Sequence, residues 1–131
     1  MTEPVILPEE LRRQIIEHCV AARPNEGCGM LAIDGNRVMK VYPTANQDVS
    51  PVSYTIPPQE HYDALVDAES RGWRLEGVFH SHPNGPARMS ATDLARLTDP
   101  GWVYLVVSLG GTETMLAGWR DGEEVSLLDV E

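Results

Sequence analysis

A chain of 131 residues fits one domain, and a hydrophobic content of 42% is enough to close a single core without disulfides. The net charge of −10 argues against a nucleic-acid partner, because phosphate binding usually rests on a basic patch. With two cysteines, no signal-like opening and no apolar run near the roughly 20 residues of a membrane span, we expect a reduced, cytoplasmic protein without a membrane span.

The first half of the chain predicts one helix and then strands. Apolar residues recur at three- and four-residue steps over residues 7–23, which indicates an amphipathic helix that Pro24 ends. Asp34, Gly35 and Asn36 favour a hairpin turn between two of the strands that follow. The predicted strands lie at 28–33, 38–42 and 52–56.

The second half adds a helix at 59–71 and a strand at 74–80 that ends on His80. A short helix is predicted at 90–97, then a strand at 102–108 buried on both faces, and strands at 113–120 and 124–130 joined by Asp121-Gly122. Because short connections join most strands, this order predicts a single α+β domain over residues 1–131. Its sheet should be mixed, largely antiparallel and curled, with helices flanking it.

The densest group of polar side chains runs from His80 to Asp93. His80 and His82 are two positions apart, so in extended backbone both imidazoles project to one face. A catalytic zinc usually takes three protein ligands, and Asp93 is the nearest third ligand after the loop that Pro83 and Pro86 favour. This spacing favours a metal site, although two surface histidines are the alternative.

Two further residues are candidates for the chemistry. Glu26 precedes the strand at 28–33 and could act as the base that a hydrolytic metal site needs, or it could be a solvated loop glutamate. The Ser90 hydroxyl could stabilise the oxyanion of an attacked carbonyl. The alternative for Ser90 is a helix cap, with Asp93 at the third position of the same capping box.

These motifs together resemble the JAMM (MPN+) metalloproteases. The resemblance is carried by Glu26-Gly27-Cys28-Gly29, by His80-Ser81-His82-Pro83 and by Ser90-Ala91-Thr92-Asp93. It implies one Zn²⁺ held by His80, His82 and Asp93, with Glu26 acting on the nucleophilic water and Ser90 steadying the tetrahedral intermediate.

The compact chain resembles the small prokaryotic branch of that family. This implies hydrolysis of an amide or isopeptide bond at the C-terminal Gly-Gly of a small ubiquitin-like or sulfur-carrier protein, with cysteine as one conceivable product. The alternatives are a scaffold of the same fold without chemistry, and a domain of the RadC type that acts in DNA repair. The oligomeric state is left open, and a homodimer is one option.

Overall fold

The fold is an α+β arrangement of one mixed sheet and two helices, seen in a computed structural model that describes residues 3–87, 93 and 101–130. Within these residues the elements are, in chain order, β1 Val5–Pro8, α1 Glu9–Ala22, β2 Cys28–Asp34, β3 Arg37–Thr44, α2 Pro58–Ser70, β4 Arg74–His82, β5 Val103–Ser108, β6 Met115–Arg120, β7 Glu123–Val125 and β8 Leu127–Val130. The predicted fold class is therefore confirmed.

The sheet is curled so far that its two ends come together. The strand order is β7-β6-β5-β4-β2-β3-β1-β8, yet β7 and β8 are separated along the chain by Ser126 alone. β2 pairs antiparallel with β3 and β4, and β6 pairs antiparallel with β5 and β7. In contrast, β5 runs parallel to β4, and β1 runs parallel to both β3 and β8. The sheet is mixed, as predicted.

The two faces of the sheet carry separate hydrophobic cores. Alternation along β2 sends Leu31 to the face covered by α1 and Met30 to the face covered by α2. The α1 face gathers side chains from both end strands, so it is the inside of the curl. The outer core is built around small helix residues, Ala64 and Ala68. Among the described residues, no helix combines the length and the apolar character needed to cross a membrane.

The turns follow the sequence closely. Asp121 and Gly122 both have positive φ, at 54° and 78°, which is the backbone of the tight hairpin predicted there. The strand predicted at 52–56 is wrong, because this segment is a loop whose Thr55 amide donates to Asn46 Oδ1 rather than to a strand. β1 was not predicted, and the last predicted strand divides into β7 and β8. The helix predicted at 90–97 lies outside the described residues except for Asp93.

Candidate active site

Strand β4 carries two histidines on one face at its C-terminal end. The strand runs to His82, two residues beyond its predicted end, and the two-residue spacing directs both rings to the same side. His80 is 1% exposed and His82 is partly buried. Pairing with β2 on one side and β5 on the other holds this strand end within the sheet, so the two imidazoles start from a rigid backbone.

The loop after β4 fixes the orientation of the His82 ring. His82 Nδ1 lies 2.8 Å from Pro86 O, and because a carbonyl can only accept, Nδ1 carries the proton and donates it. Ser108 Oγ donates to Gly85 O at 2.5 Å and ties the same loop to the end of β5. In neutral His82 the Nε2 lone pair is therefore available to a metal. A histidine that binds zinc commonly donates its other ring N–H to a carbonyl in this way.

Three donor atoms converge where the loop returns. Asp93 Oδ2 lies 3.1 Å from His80 Nε2 and 3.0 Å from His82 Nε2, and the two Nε2 atoms are 3.1 Å apart. Ligands placed tetrahedrally at roughly 2.0–2.1 Å from zinc are separated by about 3.3 Å, so the observed spacing is close to that of a filled site. Two imidazoles and one carboxylate are also the donor types that zinc prefers. Within the described part of the chain, these three residues are the group that could hold a metal ion.

The two histidines differ in their affinity for protons. Burial lowers the pKa of His80, and its hydrogen bond to Asp93 opposes this shift only in part. The hydrogen bond to Asp93 raises the pKa of His82, which is nearer to solvent. A metal ion at this point would accept the two Nε2 lone pairs and balance the charge of the Asp93 carboxylate, so the residues fit the zinc that the resemblance implies.

Glu26 lies beside the metal donors because β2 and β4 pair antiparallel. Cys28 is opposite His80 in this ladder, so extending the register by two residues brings Glu26 opposite His82. Residues that face each other across two strands project from the same side of the sheet. Glu26 is 4% exposed, and its negative charge contributes to the raised pKa of His82. The structure therefore places a buried carboxylate within electrostatic reach of the donor triad.

Ser81 fastens the chain at Glu26 to the middle of the histidine motif. Its Oγ accepts a hydrogen bond from Gly27 N at 2.8 Å, and its own amide donates to Gly27 O at 3.0 Å. A side chain at Gly27 could not be accommodated, because its Cβ would lie 2.8 Å from the Cα of Cys19 on α1. The glycine after Glu26 thus allows α1, β2 and β4 to meet closely at this point.

Several other residues whose side chains could bear chemistry are placed as follows. Burial raises the pKa of the Cys28 thiol to about 11, which is typical of an inert thiol. His18 Nε2 contacts the carbonyls of Cys28 and Thr44 at 3.1 and 2.9 Å, so it is a packing residue of α1. Ser90, Arg88 and Met89 lie outside the described residues.

Sequence reasoning missed the residues that support the triad and Glu26. Tyr54 stacks on His80 with ring centroids 4.7 Å apart and an interplanar angle of 21°. Asn46 binds the backbone of Glu26, and Ser81 and Ser108 hold the two chain segments described above. Ser81 could have been noticed as the residue between the two histidines. Tyr54, Asn46 and Ser108 are not marked by any pattern in the nearby sequence, because their contacts depend on which strands are neighbours.

The family follows from a match along most of the chain. The model of the prokaryotic homologs of the JAB domain matches residues 8–121. The chain belongs to this family. The JAB-domain chain is 36% identical over 115 residues to a desampylase of Haloferax volcanii, covering 82% of the chain and 83% of that protein. It is 33% identical over 126 residues to a probable TtuB-protein conjugate cleaving protease of Thermus thermophilus, and the match covers 93% of this chain and 80% of that protein.

A third relative is the CysO-cysteine peptidase of Mycobacterium tuberculosis, 26% identical over 106 residues, with 79% of the JAB-domain chain and 73% of that protein covered. Among solved structures, protein DSY2949 from Desulfitobacterium hafniense matches with a TM-score of 0.86 and 34% identity, covering 97% and 93% of the two chains. A structure described as a JAMM metalloprotease-like zinc site matches with a TM-score of 0.65 at 22% identity, covering 98% and 100%, and shares the fold. The resemblance to JAMM proteins is confirmed.

Proposed function

We propose that this chain is a zinc-dependent peptidase that hydrolyses an amide or isopeptide bond after the C-terminal Gly-Gly of a small ubiquitin-like or sulfur-carrier protein. The observation that carries the proposal is the convergence of His80 Nε2, His82 Nε2 and Asp93 Oδ2 within 3.0–3.1 Å of one another, with a buried carboxylate opposite His82. When bound by these three residues, zinc supplies Lewis-acid chemistry that polarises a carbonyl and makes water more acidic.

Glu26 is the residue to which we assign proton transfer. Its carboxylate accepts a proton from the attacking water while the water oxygen bonds to the carbonyl carbon. The carbon–nitrogen bond then breaks, and Glu26 returns the proton to the departing nitrogen. The products are an amine and a carboxylic acid, which releases its remaining proton to solvent at neutral pH. Ser90, which lies outside the described residues, is proposed on its sequence position to donate a hydrogen bond to the developing oxyanion.

The substrate class is supported by the named relatives. A desampylase, a conjugate cleaving protease and a CysO-cysteine peptidase each match the chain over at least 79% of its length. Their names refer to cleavage of conjugates or to release of an amino acid. We therefore propose a substrate protein with an extended C-terminal tail, and the leaving group is the variable that the experiment must resolve.

The test uses zinc-loaded protein and small ubiquitin-like carriers ending in Gly-Gly. The carriers bear a single cysteine, a short peptide, or an isopeptide-linked lysine after the second glycine, and intact mass follows the reaction. We expect loss of at least one of these extensions directly after Gly-Gly. Cleavage of none of the three by a protein with one zinc per chain would refute the substrate class.

The substitution Glu26→Gln tests the effect of losing the base while the metal stays bound. The variant should keep one zinc per chain and lose roughly 10²- to 10⁴-fold in rate, since general-base catalysis contributes on that order. Glu60→Gln is the matched control, because Glu60 on α2 accepts a hydrogen bond from Ala45 N that a glutamine oxygen can also accept. Full activity of Glu26→Gln would remove Glu26 from the mechanism. If the purified wild-type protein cannot bind zinc, the alternative of a scaffold of the same fold without chemistry is favoured.

A further inference from the structure

The loop of residues 46–55, which joins β3 to α2, is organised by one side chain. The Asn46 carboxamide donates from Nδ2 to Glu26 O at 3.1 Å and to Ser53 O at 2.9 Å. Its Oδ1 accepts from Asp48 N at 3.0 Å and from Thr55 N at 3.1 Å. These four bonds use both donors and both acceptor sites of the side chain. Few replacements could therefore reproduce what Asn46 does.

One end of this network reaches the proposed base. Asn46 binds the carbonyl of Glu26, and the amide of Glu26 donates to Ser50 O in the same loop at 2.8 Å. Both backbone groups of Glu26 are thus held by the loop, while Ser81 holds the next residue along the chain. The direction in which the Glu26 side chain leaves the backbone depends on these contacts.

The other end reaches a donor of the metal triad. Asn46 binds Ser53 O and Thr55 N, which are the neighbours of Tyr54 on its two sides. Tyr54 in turn stacks on the His80 ring, with the centroids 4.7 Å apart. The same carboxamide therefore sets the position of the ring that covers His80.

The loop holds a backbone conformation that its sequence does not favour. Val49 has a φ of 47°, a region that β-branched residues rarely adopt, and its side chain is 70% exposed. Packing of this side chain does not explain the conformation. Such residues persist where surrounding contacts determine the backbone, and Val49 N donates to Asn46 O at 3.2 Å.

We propose that Asn46 is a positioning residue that fixes Glu26 and the Tyr54–His80 stack in position relative to each other. It acts through these residues and does not touch the substrate. Its loss should leave the metal in place and impair the alignment of the base with the bound substrate, because misplacement by about 1 Å can reduce a rate by about 10². The rate prediction rests on the proposed function, whereas the structural link can be measured without any substrate.

The test compares Asn46→Asp with Asn36→Asp. Asn46→Asp replaces the two donors with an oxygen that faces the carbonyls of Glu26 and Ser53. Asn36 is a matched control, since its Nδ2 donates to Pro4 O in an exposed turn, at 3.1 Å, and makes no contact with Glu26 or Tyr54 among the described residues. Asn46→Ala removes the same donors without adding charge and serves if the aspartate variant does not fold. Amide hydrogen exchange, zinc content, kcat and KM are measured for each.

We expect faster exchange of the Glu26 and Gly27 amides in Asn46→Asp and unchanged exchange in Asn36→Asp. Zinc should stay at one per chain, with kcat lowered by about 10- to 100-fold and KM changed less than about twofold. In the Glu26→Gln background the same substitution should lower the residual rate by a smaller factor than in the wild-type background, because the part of its effect that passes through Glu26 is already lost.

Three outcomes overturn the inference: unchanged amide exchange, wild-type kcat in a variant whose exchange has changed, or an equal loss of rate with and without Glu26. Wild-type protein that cleaves no carrier, together with faster exchange in Asn46→Asp, refutes the proposed function and supports the link between Asn46 and Glu26. The two failures are therefore distinguishable.

Discussion

The two sides of the site, one that could hold the metal and one that carries the proposed base Glu26, are built in different ways. On the metal side, His80, His82 and Asp93 fall within fourteen positions of sequence, and their side-chain atoms meet directly. On the base side, Glu26 comes from more than fifty positions upstream and is held through backbone hydrogen bonds to Asn46, Ser50 and, by way of Gly27, Ser81.

We expect the two sides to respond to different kinds of mutation. The metal side depends on the chemical identity of three side chains, because a ligand atom cannot be replaced by a neighbour. The base side depends on where the backbone of residues 26–27 lies, because the carboxylate must approach the reacting atoms within hydrogen-bond distance. Variants of one side should therefore change metal content, and variants of the other should change rate at constant metal content.

The largest effect is expected for His82→Ala. This change removes one of three donors, and even the outer partners of metal ligands alter affinity by 10- to 100-fold. We expect zinc affinity to fall by more than about 100-fold and cleavage to become undetectable, as measured by zinc content and by the carrier assay. His61→Ala, an exposed position on α2, is the control. If His82→Ala still bound one zinc per chain, the metal would lie elsewhere, and the distinction between the metal side and the base side would fail.

Two serines, one on each side of the site, test whether rate and zinc affinity depend on different segments of the chain. Ser81→Ala removes the acceptor of the Gly27 amide in a buried setting, where an unsatisfied group costs about 1–3 kcal/mol of unfolding free energy. Ser108→Ala removes the donor to Gly85 O in the loop after His82. We expect Ser81→Ala to be less stable and slower with unchanged zinc affinity, and Ser108→Ala to bind zinc about tenfold more weakly. Titration with a competing chelator and denaturant unfolding measure both, and the reverse pattern would contradict the division.

The smallest effect is expected from a cluster away from both sides. Asp67 on α2 accepts hydrogen bonds from Tyr42, Lys40 and Arg71 at 2.6, 2.9 and 3.0 Å, and these lower its pKa, the Tyr42 hydroxyl most strongly. We expect Asp67→Asn to lower the thermal midpoint at pH 7 and to leave kcat and zinc content unchanged. A lower kcat in this variant would show that the site is coupled to the outer face of the sheet.

The same cluster predicts the sign of a pH dependence. A carboxylate whose folded pKa is depressed contributes stability above its unfolded pKa of about 3.9, and this is lost as the pH falls through the folded pKa. The midpoints of wild-type protein and Asp67→Asn should therefore converge as the pH falls below about 3.9. Asp63→Asn is the control, since Asp63 on the same helix accepts from the uncharged Gln59. A gap that widens on acidification would contradict this assignment.

The elements that could be predicted from the sequence are those that local chemistry specifies. Hydrophobic periodicity placed α1 and α2 to within two residues, and Asp121-Gly122 marked its hairpin because both positions need positive φ. The strand prediction at 52–56 was wrong, since the alternating residues resemble a strand, whereas the Thr55 amide donates to the side chain of Asn46 in the same loop. The single-domain boundary and the role of Ser90 stay predictions.

For the site, sequence spacing placed His80 and His82 on one face of a strand, because side chains alternate along extended backbone. The position of Glu26 relative to these histidines depends on tertiary structure. It follows from the pairing of β2 with β4 and from a register that sets Cys28 opposite His80. Which strands become neighbours depends on the burial of both faces of the curled sheet, a property of the whole chain that no short stretch of residues contains.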